Sequence, residues 1–187
     1  MATIETERLL LRPFREEDWR AAYEWMSDED VCSSMNGPMT AEQVRESVAK
    51  QAAEEHGPQR YHFAVELAAE EFVIGNCQLN VSQHIFHPGL GDICYTFTKR
   101  YWNRGFATET VGGVLRFGFE SLHPHRIVCH MAAENVASRR VVEKNGMRRE
   151  ARFKEEALIQ GVWHDEFLFA ILDHEWQKGQ DDEKSRH

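Results

Sequence analysis

The chain of 187 residues is long enough to close one sizeable hydrophobic core and short of what two domains need. Its 31 acidic side chains against 22 basic ones give a formal net charge of −9, and no basic run reaches five residues, which argues against a non-specific nucleic-acid binder. Cys32, Cys77, Cys94 and Cys129 show neither close pairing nor metal-ligand spacing, so a disulfide scaffold and a structural zinc site are poor explanations and a reducing compartment fits. The opening MATIETERLLLRPF has no secretory apolar region, and no stretch approaches the roughly 18 apolar residues of a membrane helix. A soluble cytoplasmic protein without a membrane partner is expected.

In chain order, Leu9 to Leu11 form an extended apolar patch closed by Pro13, an entry strand. Trp19, Ala22, Tyr23 and Met26 then recur at i, i+3, i+4 and i+7, the spacing of one helix face packed in a core. Met35 to Pro38 is a turn. Thr40 with Gln43 forms a capping box for a helix to about Glu55, its apolar stripe Val44, Val48 and Ala52 and its stop His56-Gly57-Pro58. From Tyr61 the period changes to two: Tyr61, Phe63, Val65 and Leu67 alternate with other residues, and after an acidic turn at Glu70-Glu71 a second strand runs from Phe72 to Val81 as a hairpin partner.

His84 to Gly91 reads as a Pro/Gly loop, followed by Ile93, Tyr95 and Phe97 on one face of a strand. Phe106 to Glu120 returns to helical character despite Gly112, Gly113 and Gly118, which suggests close packing against a sheet or ligand. Arg126 to Met131 is a buried strand, Val136 to Asn145 a helix ended by Gly146, and Met147 to Glu155 and Trp163 to Leu172 two late strands. Such alternation implies an α+β (mixed α/β) domain over residues 1–177 with a mixed sheet. The tail 178–187, KGQDDEKSRH, lacks apolar residues and is expected to be disordered.

Chemistry concentrates in Tyr101-Trp102-Asn103-Arg104-Gly105-Phe106-Ala107-Thr108-Glu109, a small-residue turn between a strand and a helix. Successive backbone N–H groups there, with the positive end of the helix, form a cradle for an anion such as a pyrophosphate. Gly105 admits close backbone approach and Ala107 keeps the first turn uncrowded. The pattern matches neither the P-loop nor the dinucleotide fingerprint. Cys94 and Cys129 read as buried core cysteines rather than nucleophiles. His84, His87 and Cys94 lack the further ligands a metal needs, and His123, His125 and His130 read as turn and strand residues.

These motifs in this order, TERLLLRPF, a Ser27-Asp28 turn after a helix, YWNRGFATE, NVASRRVVEKNGM and GVWHDEFLFA, resemble the GCN5-related N-acetyltransferase (GNAT) superfamily, and most its ribosomal-protein-alanine acetyltransferase branch. The resemblance covers nearly the whole chain. It implies a GNAT fold, a central splayed mixed sheet flanked by helices, with acetyl-CoA as cosubstrate held at the split and no metal. Arg104, Gly105, Phe106, Ala107 and Thr108 would receive the pyrophosphate through their amides, and the strand carrying Ile93, Tyr95 and Phe97 would pair with the pantetheine arm. Asn135 matches a family asparagine that bonds near the cofactor, and Ser138 a serine near the thioester sulfur, a candidate acid for the departing thiolate. Trp25, Met35 and Asn36 sit where the branch walls its acceptor pocket.

The matching position for the tyrosine acid of many other members is Val142, which cannot donate a proton. The branch's glutamate base falls on Ala157, with Glu155 and Glu156 just before it, and Glu150 precedes Ala151 where the family often has Glu-Gly. Glu150 is the candidate base, and His164-Asp165 a structural or substrate-lining pair. The implied reaction is transfer of acetyl to a primary amine, foremost the α-amine of a protein or peptide, in a ternary complex. The alternatives are a small-molecule amine (amino acid, polyamine or aminoglycoside) and a non-catalytic acyl-CoA sensor. A homodimer is compatible with the resemblance.

Overall fold

The computed structural model describes residues 2–53, 60–82 and 89–184, the last five through their backbone alone. The elements are β1 (Ile4–Glu5), β2 (Leu9–Arg12), α1 (Trp19–Met26), α2 (Ala41–Ala53), β3 (Arg60–Leu67), β4 (Phe72–Ser82) and β5 (Leu90–Phe97), then α3 (Phe106–Phe117), β6 (Arg126–Ala132), α4 (Val136–Lys144), β7 (Arg148–Ile159), β8 (Val162–Leu172) and α5 (Asp173–Lys184). Among the described residues one eight-stranded sheet runs β1-β2-β3-β4-β5-β6-β8-β7. Its neighbours are antiparallel except β5 and β6, whose parallel pairing requires the crossover that α3 supplies.

Alternation along the strands sends two residue sets to two faces. On one face Leu79, Ile93, Phe97, Ile127 and Phe169 pack against Val111, Val114 and Leu115 of α3 and Val142 of α4. On the other, Trp25 of α1 and Val44 and Val48 of α2 cover Ala64 and Val73. That second layer stops short of β5 and β6, so Asp92, Cys94 and His130 face solvent. Cys94 is therefore exposed rather than in the core, because its neighbour Ile93 takes the inward position; Cys129 is buried as expected.

The capping box forms: the Thr40 amide donates to Gln43 Oε1 at 2.8 Å, and the Gln43 amide to Thr40 Oγ1 at 3.3 Å. The expected stop at residues 56–58, and His84 and His87, lie outside the described residues. In α1 the expected stripe is displaced. Tyr23 is 41% exposed while Trp25 is 1% exposed, since the helix rolls its bulkiest apolar ring into the layer over β3 and β4. β5 begins at Leu90, inside the expected loop, because Gly91 lets β5 and β6 meet; a Cβ there would stand 2.8 Å from Ile127 Cγ1. α3 stops at Phe117 and a wider turn, Gly118–Leu122, finishes it. The late strands lengthen into a hairpin turning at Gln160-Gly161. Helix α5 carries the chain on to Lys184, where disorder was expected from 178; Trp176, stacked on Phe119 at 5.4 Å, anchors its first turns.

Arg12, at the end of β2, is 6% exposed and bonds both oxygens of Asp18 (2.8 and 2.9 Å) and Glu66 Oε2 (2.7 Å). This buried triad ties β2, β3 and the entry to α1 together. Removing its cation leaves two buried carboxylates facing each other, a change that costs about 3–5 kcal/mol. Arg12→Ala is accordingly expected to lower the urea midpoint of unfolding sharply, and an unchanged midpoint would refute the buried pairing.

Candidate active site

The sheet opens in its middle. β5 and β6 pair over Leu90↔Arg126, Gly91↔Ile127 and Asp92↔Val128, and there the pairing ends. Beyond it β5 stays with β4 as far as Phe97, while β6 stays with β8 as far as Ala132, so the two strands are drawn apart. Among the described residues, from Ile93 to Phe97 the backbone of β5 has no strand on that side. Its free N–H and C=O groups are a template for an extended, amide-bearing ligand arm.

Two helix starts converge on this opening. Gly105, at φ +84°, turns the chain into α3, and no side chain caps that helix. Its first N–H groups thus lack both an intrahelical acceptor and a capping one, a site that favours an anion. At α4 the arrangement is opposite: Asn135 Oδ1 accepts from the Ser138 amide at 3.0 Å and caps the helix. Ser138 is half-buried, and its carbonyl accepts from the Tyr95 hydroxyl at 3.2 Å. Burial pushes the Tyr95 phenol up, so it stays protonated and holds β5 to α4 across the opening.

These parts line one groove of about 1030 Å³. Tyr95, Thr96 and Phe97 form one wall, Gly105 to Thr108 the anion end, Asn135 and Ser138 the opposite wall, and the short turn Val31–Ser34 with Met35 the roof. Gln160 in the β7–β8 turn fastens that roof by donating to the Cys32 carbonyl at 3.3 Å.

Most predicted positions meet here: Tyr95, Phe97, Gly105, Phe106, Ala107, Thr108, Asn135 and Ser138 line the groove. Ile93 is off the groove wall, its side chain being 1% exposed in the core. Arg104 is not on the groove wall and its carbonyl accepts from Arg8 Nη1 at 3.2 Å. Glu150 is not brought to the site. It lies on β7 with one oxygen on Arg126 and the other on Arg148 (2.5 and 2.6 Å). Arg126 starts β6, six residues or roughly 20 Å from the Ala132 end that reaches the groove. Trp25 is buried beneath the roof layer and Asn36 is off the wall, while Met35 reaches it. His164, read as structural or substrate-lining, lines the groove beside Glu134, a residue that nothing in the local sequence singled out.

A family model described as an acetyltransferase (GNAT) domain matches residues 8–148. The chain belongs to the GNAT family. Among relatives, the uncharacterized N-acetyltransferase YnaD of Bacillus subtilis (strain 168) is 36% identical over 174 residues, 92% of this chain and 98% of that protein. A crystal structure of a GNAT-family acetyltransferase from Bacillus anthracis superposes with a TM-score of 0.83 at 34% identity, covering 92% of this chain and 99% of the other. The [ribosomal protein uS5]-alanine N-acetyltransferase of Escherichia coli (strain K12) is 23% identical over 190 aligned positions, 94% of this chain and 93% of that protein.

In this GNAT protein the cradle is braced from far along the chain. Glu109, in the first turn of α3, accepts from Thr6 Oγ1 (2.7 Å), the Arg8 amide (2.8 Å) and Arg8 Nε (2.7 Å). Burial opposes its ionisation, but these three donors outweigh it and hold the carboxyl below its ordinary value. The acidic first-turn residue is therefore spoken for by Arg8 and faces no bound phosphate unscreened. Among the described residues no group of three His, Cys, Asp or Glu is placed to hold a metal ion.

Two outcomes follow from this geometry. Gly105→Val must hold a β-branched residue at a positive φ and press on Arg8 Nη2, which a Cβ alone would approach to 3.3 Å. Its affinity for CoA in calorimetry is expected to fall about tenfold or more, and an unchanged affinity would remove the anion-cradle assignment. A carboxyl with a depressed folded pKa stabilises the fold above its unfolded pKa and loses that contribution as pH falls through the folded value. Glu109→Gln is thus expected to be less stable than the parent at neutral pH, the difference vanishing once acid has protonated Glu109; a gap that persisted in acid would contradict the bracing.

Proposed function

We propose that this GNAT protein transfers acetyl from acetyl-CoA to the α-amine of a protein or peptide amino terminus, by direct attack in a ternary complex. The observation that carries the reading is the groove: the uncapped start of α3, the unpaired edge of β5 and the half-buried Ser138 line it in succession. These features fit a pyrophosphate, an amide-bearing arm and a thioester in that order. When bound there, acetyl-CoA supplies an activated carbonyl. The chain's own part is to orient it, to offer N–H donors along β5 where negative charge develops on oxygen, and to place the Ser138 hydroxyl for a proton at sulfur.

The protein acceptor draws on the resemblance to the uS5-alanine acetyltransferase and on the far side of the sheet. There, among the described residues, the groove is roofed by Val31–Met35 and by Ile159 at the β7–β8 turn, with the exposed Met35 in its lining, room for a chain end to enter lengthwise. Direct attack agrees with the thiols. Cys129 is buried in the core, and that burial pushes its thiol up and makes it a poor nucleophile at neutral pH.

Purified protein with acetyl-CoA is expected to acetylate members of a panel of free peptide amino termini, read by mass spectrometry against a no-enzyme control. Product only on amino acids, polyamines or aminoglycosides would replace the protein acceptor with a small molecule, and CoA binding without any product would favour a sensor. With an active acceptor, Ser138→Ala is expected to lower kcat about 10- to 100-fold while leaving CoA affinity nearly unchanged. Equal turnover would take the acid role away from Ser138.

A further inference from the structure

With Glu150 bound to two arginines and alanine at position 157, neither position expected to supply a base places a free carboxylate in the groove. The groove does hold a titratable pair that the proposed reaction has not used. Glu134 Oε1 accepts from Nδ1 of His164, on β8, and both residues line the groove. A carboxylate only accepts, so Nδ1 carries the hydrogen, and in the neutral imidazole the lone pair is then at Nε2. Glu134 also directly precedes Asn135, the cap of α4, and lies four residues before Ser138. The connection between β6 and α4 is bonded to β8 at this level: the Ala133 amide donates to the Asp165 carbonyl at 2.8 Å. His164 is therefore fixed to the same short segment that positions Ser138.

We infer that His164 is the catalytic base and Glu134 its positioning residue, an assignment that rests on the acetyl-transfer reading above. His164 Nε2 takes one proton from the acceptor ammonium. The freed nitrogen lone pair forms the C–N bond at the thioester carbonyl, and the C–S bond breaks with its electron pair going to sulfur. The second nitrogen proton passes through the Ser138 hydroxyl to sulfur, and the proton on His164 is returned to solvent. The balance is one amide, one CoA thiol and one released proton for each ammonium and thioester consumed.

The charged groups around His164 are accounted for on every side. Glu166, two residues along the same face of β8, accepts from His130 Nδ1 at 2.6 Å. Asp165, pointing the other way, is paired with Arg152. Opposite on β7 stands Ala157, with no charge. In the roof Asp30 is paired with Lys99, and Arg140 and Lys144 of α4 line the far wall. Glu134 is thus the carboxylate bonded to His164.

The test uses the full chain, acetyl-CoA and whichever amine of the panel gives the fastest turnover with the parent. His164→Ala is expected to lose about 100-fold in kcat/KM near neutrality, to regain at least tenfold of it on addition of imidazole, and to lose the acid limb of its pH profile. Glu134→Gln is expected to lower kcat with the KM for acetyl-CoA unchanged, and Glu134→Asp to recover part of the loss. CoA affinity measured on the same preparations, with His164→Gln as a second variant, separates loss of chemistry from loss of fold. An active parent with His164→Ala equally active, or disabled but indifferent to imidazole, overturns the base alone. A parent that binds CoA and acetylates no amine overturns the transfer reading and the base with it.

Discussion

A β-sheet is held by pairing every strand to its neighbours, and this one gives up that pairing at its centre. β5 and β6 are bonded for three residue pairs and then part, each retained by the strand on its other side. The backbone groups released would be costly if buried without partners. They are instead left along a groove, where a ligand with its own amides can complete them. An arm bound there would be read by main chain, leaving the walls free to vary. Gly91 makes the closed end possible by letting the two strands approach, so the separation begins at a fixed place rather than fraying along the strands.

Around that opening the fold spends its strong contacts on rigidity. The buried Arg12, Asp18 and Glu66 triad locks the half of the sheet that carries no chemistry. Tyr95 and Asn135 fix β5 and α4 on opposite sides of the groove, and Gln160 draws the late hairpin to the roof. Walls set by contacts from unrelated parts of the chain keep reacting groups at fixed separations, and such orientation is a large share of what bimolecular transfer requires.

What was legible beforehand were local matters. The turn at Gly105, the Thr40 and Gln43 box and most strand phases depend on neighbours within a turn or a hairpin, and the structure has them. The errors share a cause. Glu150 is held away from the groove by Arg126, 24 residues earlier in sequence and reached across the intervening β8. Tyr23 and Trp25 differ by 200° around a helix, and which one faces inward is decided by the layer it meets. Cys94 was placed in the core beside a residue that occupies it. Glu134 carries no local signal, since its importance comes from a histidine 30 residues later. The divergence of β5 from β6 is visible in neither strand, being a property of the pair.

The bracing of Glu109 bears on the order in which the molecule is assembled. The donors are Thr6 and Arg8, 103 and 101 residues earlier in the chain, so this contact closes a very long loop. During synthesis the first strands must wait, unpaired with α3, until more than half of the protein has emerged. Contacts of such separation form late, after the local hairpins and helices have paid for themselves. The anion cradle is accordingly a feature of the finished chain: a fragment could hold its secondary structure and still present a slack helix start. Shortening the amino terminus by eight residues would remove no groove wall, yet it would take away the grip that keeps that helix start in place.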